Sequence, residues 1–392
     1  MNRRDSPPVA LGHSRDAVLV APDKFKGCMS ATEVAHALAR GLDHVAPATP
    51  VDVCPVADGG DGLLDALIGA GFRSVPVSAT GPTGQPVESA FVEKDGVAVV
   101  ELADVAGLQR LPGGRPAPLT ASSAGTGQVM RAALDAGCDT LVVGVGGSAS
   151  TDGGAGMLAG LGARLLDESG QELPAGGAAL LDVHRVDLTQ LHPRLAEVAL
   201  VVACDVDNPL LGPSGAAAVY GPQKGANDAD IELLERALSR WADVLGTATG
   251  TQVASEPGAG AAGGVAFAAM CLGARTRPGI ELVLELAQFD RRLERARLVI
   301  TGEGSLDTQT LRGKAPAGVA AAAARQGVPV IAVAGRNLLD ADELRTAGFL
   351  AVHALTDLEP DVQRCIEIAP ALLEQVSARI AADLGAVSET RP

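Results

Sequence analysis

Aromatic residues make up only 2% of this 392-residue chain, with a single Trp and a single Tyr. A core in such a chain has to be filled by Ala, Val, Leu and Ile, and the length suits two or three domains. Runs of Lys or Arg are also missing and the net charge is −16, which excludes an electropositive nucleic-acid surface and reads as a solubility feature. The six cysteines, Cys28, Cys54, Cys138, Cys204, Cys271 and Cys365, are far apart and form no CxxC pair, so reduced thiols in a cytoplasmic protein are expected. The six histidines show no metal-ligand spacing, which removes histidine-based zinc chemistry and a serine-hydrolase triad. Residues 1–16 hold no apolar stretch of signal-peptide length; their charges and prolines predict a disordered tail. Gly258 to Ala274 carries no charge and approaches membrane-spanning length, but it is mostly Gly and Ala, so a buried, closely packed helix is expected and no membrane association.

What the chain does have is a repeated device, an apolar run that feeds directly into glycines and carboxylates. Val299 to Ile300 leads into Thr301-Gly302-Glu303-Gly304-Ser305-Leu306-Asp307, with Gly313 and Lys314 close behind. Thr140 to Val143 runs into GVGGSASTDGGAG at 144–156, and Ala199 to Ala203 into CDVDNPLLG at 204–212. Glycine after a strand lets backbone N–H groups approach an anion, and a helix opening there adds its positive end. Carboxylates beside a phosphate need a cation between them, and Mg²⁺ supplies it.

The order of elements predicts a parallel sheet. Ala17 to Val20 reads as a buried strand, Ser30 and Glu33 as a capping box opening a helix to about Leu42, and Val51 to Val56 as a second strand. That strand ends in ADGGDG at 57–62 before the helical Leu63 to Ile68. The C-terminal part repeats the rhythm: helix 281–296, strand 297–300, helix 315–326, strand 328–333 and two further helices around Leu350 to Ala354. Between these ends, GPTGQP at 81–86 marks a break, and 87–102 has strand-like Val and Phe content. The fold class expected is α/β: a discontinuous Rossmann-like, doubly wound parallel-sheet domain over 17–78 and 288–385, with a second α/β domain inserted at 79–287 and the active site in the cleft between them.

Each motif has a bland reading beside the functional one. Gly144, Gly146 and Ala149, with Asp167 about 20 residues on, match a dinucleotide fingerprint in outline, but the loop is too long and too polar for it. Gly313-Lys314 is no Walker A site, since Thr308 and Ala315 stand where a glycine and a hydroxyl are required. Asp205-Val206-Asp207-Asn208-Pro209 could be a plain turn; its place after an apolar strand favours a metal contact or general base. Lys224, within Pro222-Gln223-Lys224-Gly225, could be an ordinary surface lysine.

Together these stretches resemble the type 1 glycerate kinases over residues 17 to 385. The motifs are APDKFKG at 21–27, ADGGDG at 57–62, GVGGSASTDGGAGML at 144–158, ACDVDNPLLGPSGAAAVYGPQKGA at 203–226, PGAGAAGG at 257–264 and TGEGSLDTQTLRGKAPAGVA at 301–320. The resemblance implies transfer of the γ-phosphate of ATP to D-glycerate with Mg²⁺, with 2-phosphoglycerate the product expected from bacterial members. This chain departs from it at Lys24, where the family often has Ser, at Asp61 (Glu), at Thr151 (Asn), and at Ser305 and Leu306 (Arg-Ile).

On that reading Lys26, Lys224 and Lys314 are candidates to balance phosphate or carboxylate charge, and Gly146, Gly147 and Ser148 form a backbone and hydroxyl cradle. Asp58, Asp61, Asn208 and Gln223 are further substrate or phosphate candidates. Asp152, Asp207 and Glu303 are the candidate Mg²⁺ contacts, Asp205 the candidate base and Asp307 the alternative base. Phosphorylation of another small hydroxy acid, the 3-phosphoglycerate product, an NAD-linked dehydrogenase and a non-catalytic nucleotide sensor stay open, as does the oligomeric state.

Overall fold

The computed structural model describes residues 15–389. The tail expected over 1–16 therefore lies outside the described residues, apart from Arg15 and Asp16.

Among the described residues there are thirteen strands, numbered in chain order. β1 (Ala17–Pro22) and β2 (Val51–Val53) come first. They are followed by β3 (Arg73–Thr80), β4 (Pro86–Lys94), β5 (Val97–Glu101), β6 (Thr140–Gly144), β7 (Arg164–Leu166), β8 (Arg185–Asp187), β9 (Ala199–Ala203) and β10 (Arg275–Arg277). β11 (Ala296–Leu306), β12 (Val330–Asn337) and β13 (Phe349–Ala354) complete the set.

The chain forms two compact units. The first takes residues 15–29, 33–54 and 288–389, the second 30–32 and 55–287. The division falls at Cys54/Pro55 where the sequence suggested 78/79, because β3 is hydrogen-bonded along its whole length to β4 and belongs with the second unit's sheet.

In the first unit five parallel strands lie in the order β13-β12-β11-β1-β2. Read from the other edge this is a 2-1-3-4-5 doubly wound sheet, whose topological switch point lies between β1 and β11. All six residues of β1 are buried, as expected of a central parallel strand covered on both faces. Val18, Val20, Ile300 and Val333 pack with Leu38, Leu42, Leu373 and Val376 of the flanking helices Ala31–Val45 and Ala369–Glu389. The helix expected over 281–296 is two short ones, Gly279–Leu286 and Phe289–Leu293, because Gln288 turns left-handed at φ 53° and ends the first.

The second unit holds a six-stranded mixed sheet, β10-β9-β6-β5-β4-β3. β10, β9, β6 and β5 run parallel; β4 and β3 are antiparallel. The strand-like stretch at 87–102 is in fact two strands joined at Asp95-Gly96, where both residues have positive φ and give the tight turn a twisted hairpin needs. The core is mostly aliphatic, with Phe91, Phe267 and the one Trp, Trp241, buried in it. The Gly-Ala segment forms the buried helix Ala261–Cys271, packed so closely that a Cβ on Gly154 would lie 2.6 Å from Ala268 Cβ. Among the described residues no helix is long and apolar enough to cross a membrane. The six cysteines are free thiols.

Candidate active site

In the first unit the polar residues gather where the carboxyl ends of β1 and β11 meet, the place where doubly wound sheets bind ligands. Pro22 is in register with Gly302, so residues 303–306 project beyond the end of β1. Asp23 N–H donates to Gly302 O (2.8 Å), and Asp23 Oδ1 accepts from Lys24 N–H (2.7 Å). The chain then turns through 25–29, closed by paired Phe25 and Met29 backbone bonds of 2.9 Å, with Lys26 exposed on the turn. Gly304 lies against this turn: a Cβ there would sit 3.3 Å from Lys26 N. Glu303, nearly buried, accepts from Thr310 Oγ1, whose oxygen in turn receives Asp307 N–H (3.0 Å). Asp307 Oδ1 accepts from Gln309 N–H (2.8 Å). Lys314 stands at the N-cap of the helix Ala315–Arg325, after Gly313 at φ 96°. Lys26, Glu303, Asp307 and Lys314 thus share one sheet edge.

A second edge lies in the second unit, where Glu101, Gly144 and Ala203 end three parallel strands in register. The 57–62 loop lies across these ends. A Cβ on Gly146 would lie 2.5 Å from Gly60 Cα, and one on Gly59 would lie 3.0 Å from Gly279 Cα and 3.2 Å from Ala203 Cβ. These contacts bring Asp58, Asp61, Gly146 and Asp205 to one edge. Gly279 N–H donates to Asp205 Oδ1 (2.7 Å); Asp58 Oδ1 accepts from Gly60 N–H (3.3 Å). Asp205 reaches solvent, yet the protein crowding it, and then the charges of Asp58 and Glu281, outweigh the Gly279 bond and lift its pKa to about 6. Gly147 has φ 71°, and Ser148, next to it, is buried.

One expected role is corrected. Asp152 is not placed to meet Mg²⁺. It is 1% exposed, and its two oxygens accept from Ser123 N–H (2.8 Å), Ser123 Oγ, Gly154 N–H (3.1 Å) and Gly156 N–H (3.2 Å). Asp152 ties the 152–156 turn to Ser123. Of the two readings the sequence offered for Lys224, phosphate charge balance or an ordinary surface lysine, its burial excludes the second. It is 2% exposed, and Nζ donates to Ser148 Oγ (2.8 Å) and Ser150 O (2.5 Å). Burial pushes its pKa down to about 7, against the opposing pull of Asp152. Its amine is hydrogen-bonded to the loop that carries Ser148.

Asn208 is locked as a turn residue: Nδ2 donates to Ser214 O (2.8 Å) and Oδ1 accepts from Tyr220 O–H (2.6 Å). Gln223 and Asp207 are exposed. The apparent dinucleotide fingerprint is not built as one, since the helix after β6 starts only at Ala155 and Asp167 closes its own turn with Ser169 and Gln171. Among the described residues no three His, Cys, Asp or Glu side chains gather into a metal-binding group. Glu303 in the first unit and Asp207 in the second are hard oxygen donors of the type that could share Mg²⁺ with phosphate oxygens.

Glu101 carries no motif and escaped the reading of the sequence. Its Oε1 accepts from Gly62 N–H and its Oε2 from Leu64 N–H, both at 3.0 Å, which fastens the 57–62 loop to the end of β5. Burial, opposed by these two bonds and aided by Asp61 and Asp104, raises its pKa to about 7.

Residues 18–385 match the model of the glycerate kinase family. The chain is 43% identical over 371 residues to the glycerate kinase of Bacillus subtilis (strain 168), covering 94% of this chain and 97% of that protein. It is 40% identical over 342 residues to the glycerate 2-kinase of Escherichia coli (strain K12), covering 86% and 90%. A crystal structure assigned as glycerate kinase 2 from Salmonella typhimurium LT2 superposes with a TM-score of 0.82 at 39% identity, covering 95% of this chain and 99% of that one.

Proposed function

This chain belongs to the glycerate kinase family, and from that membership we propose that it transfers the γ-phosphate of ATP to the C2 hydroxyl of D-glycerate. The observation that carries the chemistry is Asp205. Its Oδ1 is fixed by Gly279 N–H, its Oδ2 has no hydrogen-bond partner among the described residues, and its pKa of about 6 keeps it ionised yet basic near neutrality.

In the step proposed, the substrate hydroxyl oxygen forms the new bond to γ-phosphorus as the bond to the ADP oxygen breaks. The hydroxyl proton passes to Asp205. Asp58, held beside it by the glycine contacts of the 57–62 loop, keeps that carboxylate basic. Asp307, the alternative base, has Oδ1 engaged by Gln309 N–H. On the first unit, Lys26 and Lys314 are assigned to phosphate charge. Glu303, or Asp207, would hold Mg²⁺, which when bound neutralises phosphate oxygens. The C2 position is favoured by the relative from Escherichia coli that is called a glycerate 2-kinase.

A ³¹P NMR time course with ATP, Mg²⁺ and D-glycerate tests this. A 2-phosphoglycerate resonance is the expected result. A 3-phosphoglycerate resonance would overturn the regiochemistry, and absence of turnover by folded protein would overturn the substrate and direct the assay to other small hydroxy acids.

A further inference from the structure

At the end of β11 the neighbouring strand brings a guanidinium beside a serine hydroxyl. Ser305 and Arg336 are register partners on β11 and β12, and Arg336 Nε donates to Ser305 Oγ at 3.0 Å. Register partners on adjacent parallel strands point to the same face, and alternation along β11 puts Glu303 on that face too. Arg336 is exposed, and the bond to Ser305 holds only Nε, so the N–H groups of both terminal nitrogens still face solvent. The backbone beneath is bare: a Cβ on Gly335 would lie 2.5 Å from Gly304 O, while Gly304 abuts the Lys26 turn on its other side. The end of β11 is therefore flanked by a cation on each side, Lys26 from the β1 turn and Arg336 from β12. No carboxylate is paired with Arg336 among the described residues.

We propose that Arg336, steadied by Ser305, is a phosphate-binding residue of this chain, contacting the polyphosphate of the nucleotide. This rests on the kinase reading above. A planar fork with free donors at the carboxyl edge of a doubly wound sheet suits phosphate oxygens, and anchoring through Nε leaves the fork aimed outward. Exchange of the two side chains moves the guanidinium onto β11 without changing the charge of the edge.

The test is calorimetric binding of ATP and of adenosine to wild type, Arg336→Ser and the double variant Ser305→Arg/Arg336→Ser, alongside steady-state kinetics with D-glycerate. The expected result is an ATP affinity weakened about tenfold or more in Arg336→Ser, the range for a lost charged hydrogen bond. Adenosine affinity stays within twofold, and most of the ATP loss is recovered in the double variant. ATP binding by Arg336→Ser within twofold of wild type overturns the proposal. So does a parallel loss for ATP and adenosine, which would mean a damaged fold. Wild type that binds ATP but leaves D-glycerate unphosphorylated would instead overturn the substrate reading and leave this assignment to the binding data.

Discussion

Lys224 Nζ lies 2.8 Å from Ser148 Oγ in a place almost closed to water. Its second acceptor is the carbonyl of Ser150. A neutral lysine has two N–H bonds, and here there are two acceptors, so the uncharged amine is fully matched where an ammonium would hold a third donor. The pKa of about 7 fits that match.

A stability prediction comes from the sign of that shift. Between about 7 and the ordinary lysine value the unfolded chain binds a proton that the folded chain lacks, so stability should rise with pH across that window. The slope from this group is at most about 1.4 kcal/mol per pH unit. Lys224→Met should remove the rise, as read by urea unfolding at several pH values, and lower kcat by loosening Ser148.

Asp205→Asn should lower kcat by about 10²–10⁴-fold, the range for a lost general base, with the KM for ATP nearly unchanged. In the wild type, kcat/KM for D-glycerate should rise with pH through about 6 as Asp205 ionises. That limb should be missing from the variant's residual activity. A folded variant with near-normal turnover would remove Asp205 from the role.

Glu101→Gln leaves one acceptor where the amides of Gly62 and Leu64 now bind. The KM for D-glycerate should rise, or kcat fall, by about tenfold in total. Because the folded pKa is raised to about 7, the wild type holds an extra proton when folded, and its stability should fall as pH rises from the ordinary glutamate value through 7. Thermal unfolding across that range should show the fall in wild type and a flatter curve in the variant.

Gly146→Ala places a methyl group 2.5 Å from Gly60 Cα, where only backbone is available to yield. Overpacking of this kind destabilises by about 1–3 kcal/mol, and here it should also separate the 57–62 and 144–150 loops. A drop in melting temperature together with a larger loss in kcat/KM is the expected outcome.

Much of the fold was legible because buried parallel strands read as unbroken apolar runs, and β1, β6 and β9 each stand out this way. β11 does not, since it runs on through 301–306, glycine-flanked residues that read as a loop. The break at Gln288 was not legible, since nothing in a glutamine announces a left-handed backbone imposed by packing. For the site, Asp205 and the glycine loops could be picked out by type and place. Asp152 could not be assigned correctly, because an Asp in a glycine loop looks like a cation ligand until the donors around it are seen, and the burial of Lys224 is equally hidden, since a lysine looks exposed until the fold is known. Glu101 was invisible for another reason. The amides it holds belong to Gly62 and Leu64, far back along the chain, and only the sheet brings them together.

The first unit is sewn from both ends of the chain, with β1 seated beside β11. On the ribosome, β1 and β2 emerge long before that partner exists, whereas 55–287 is one continuous stretch that can collapse as it is made. Until β11 arrives, the wholly apolar AVLVAP strand has an open edge of the sort that invites pairing with other chains. A nascent chain halted before Ala296 would carry the whole second unit and still leave β1 unsheltered, so β1 depends on a strand translated long after it to stay out of aggregates.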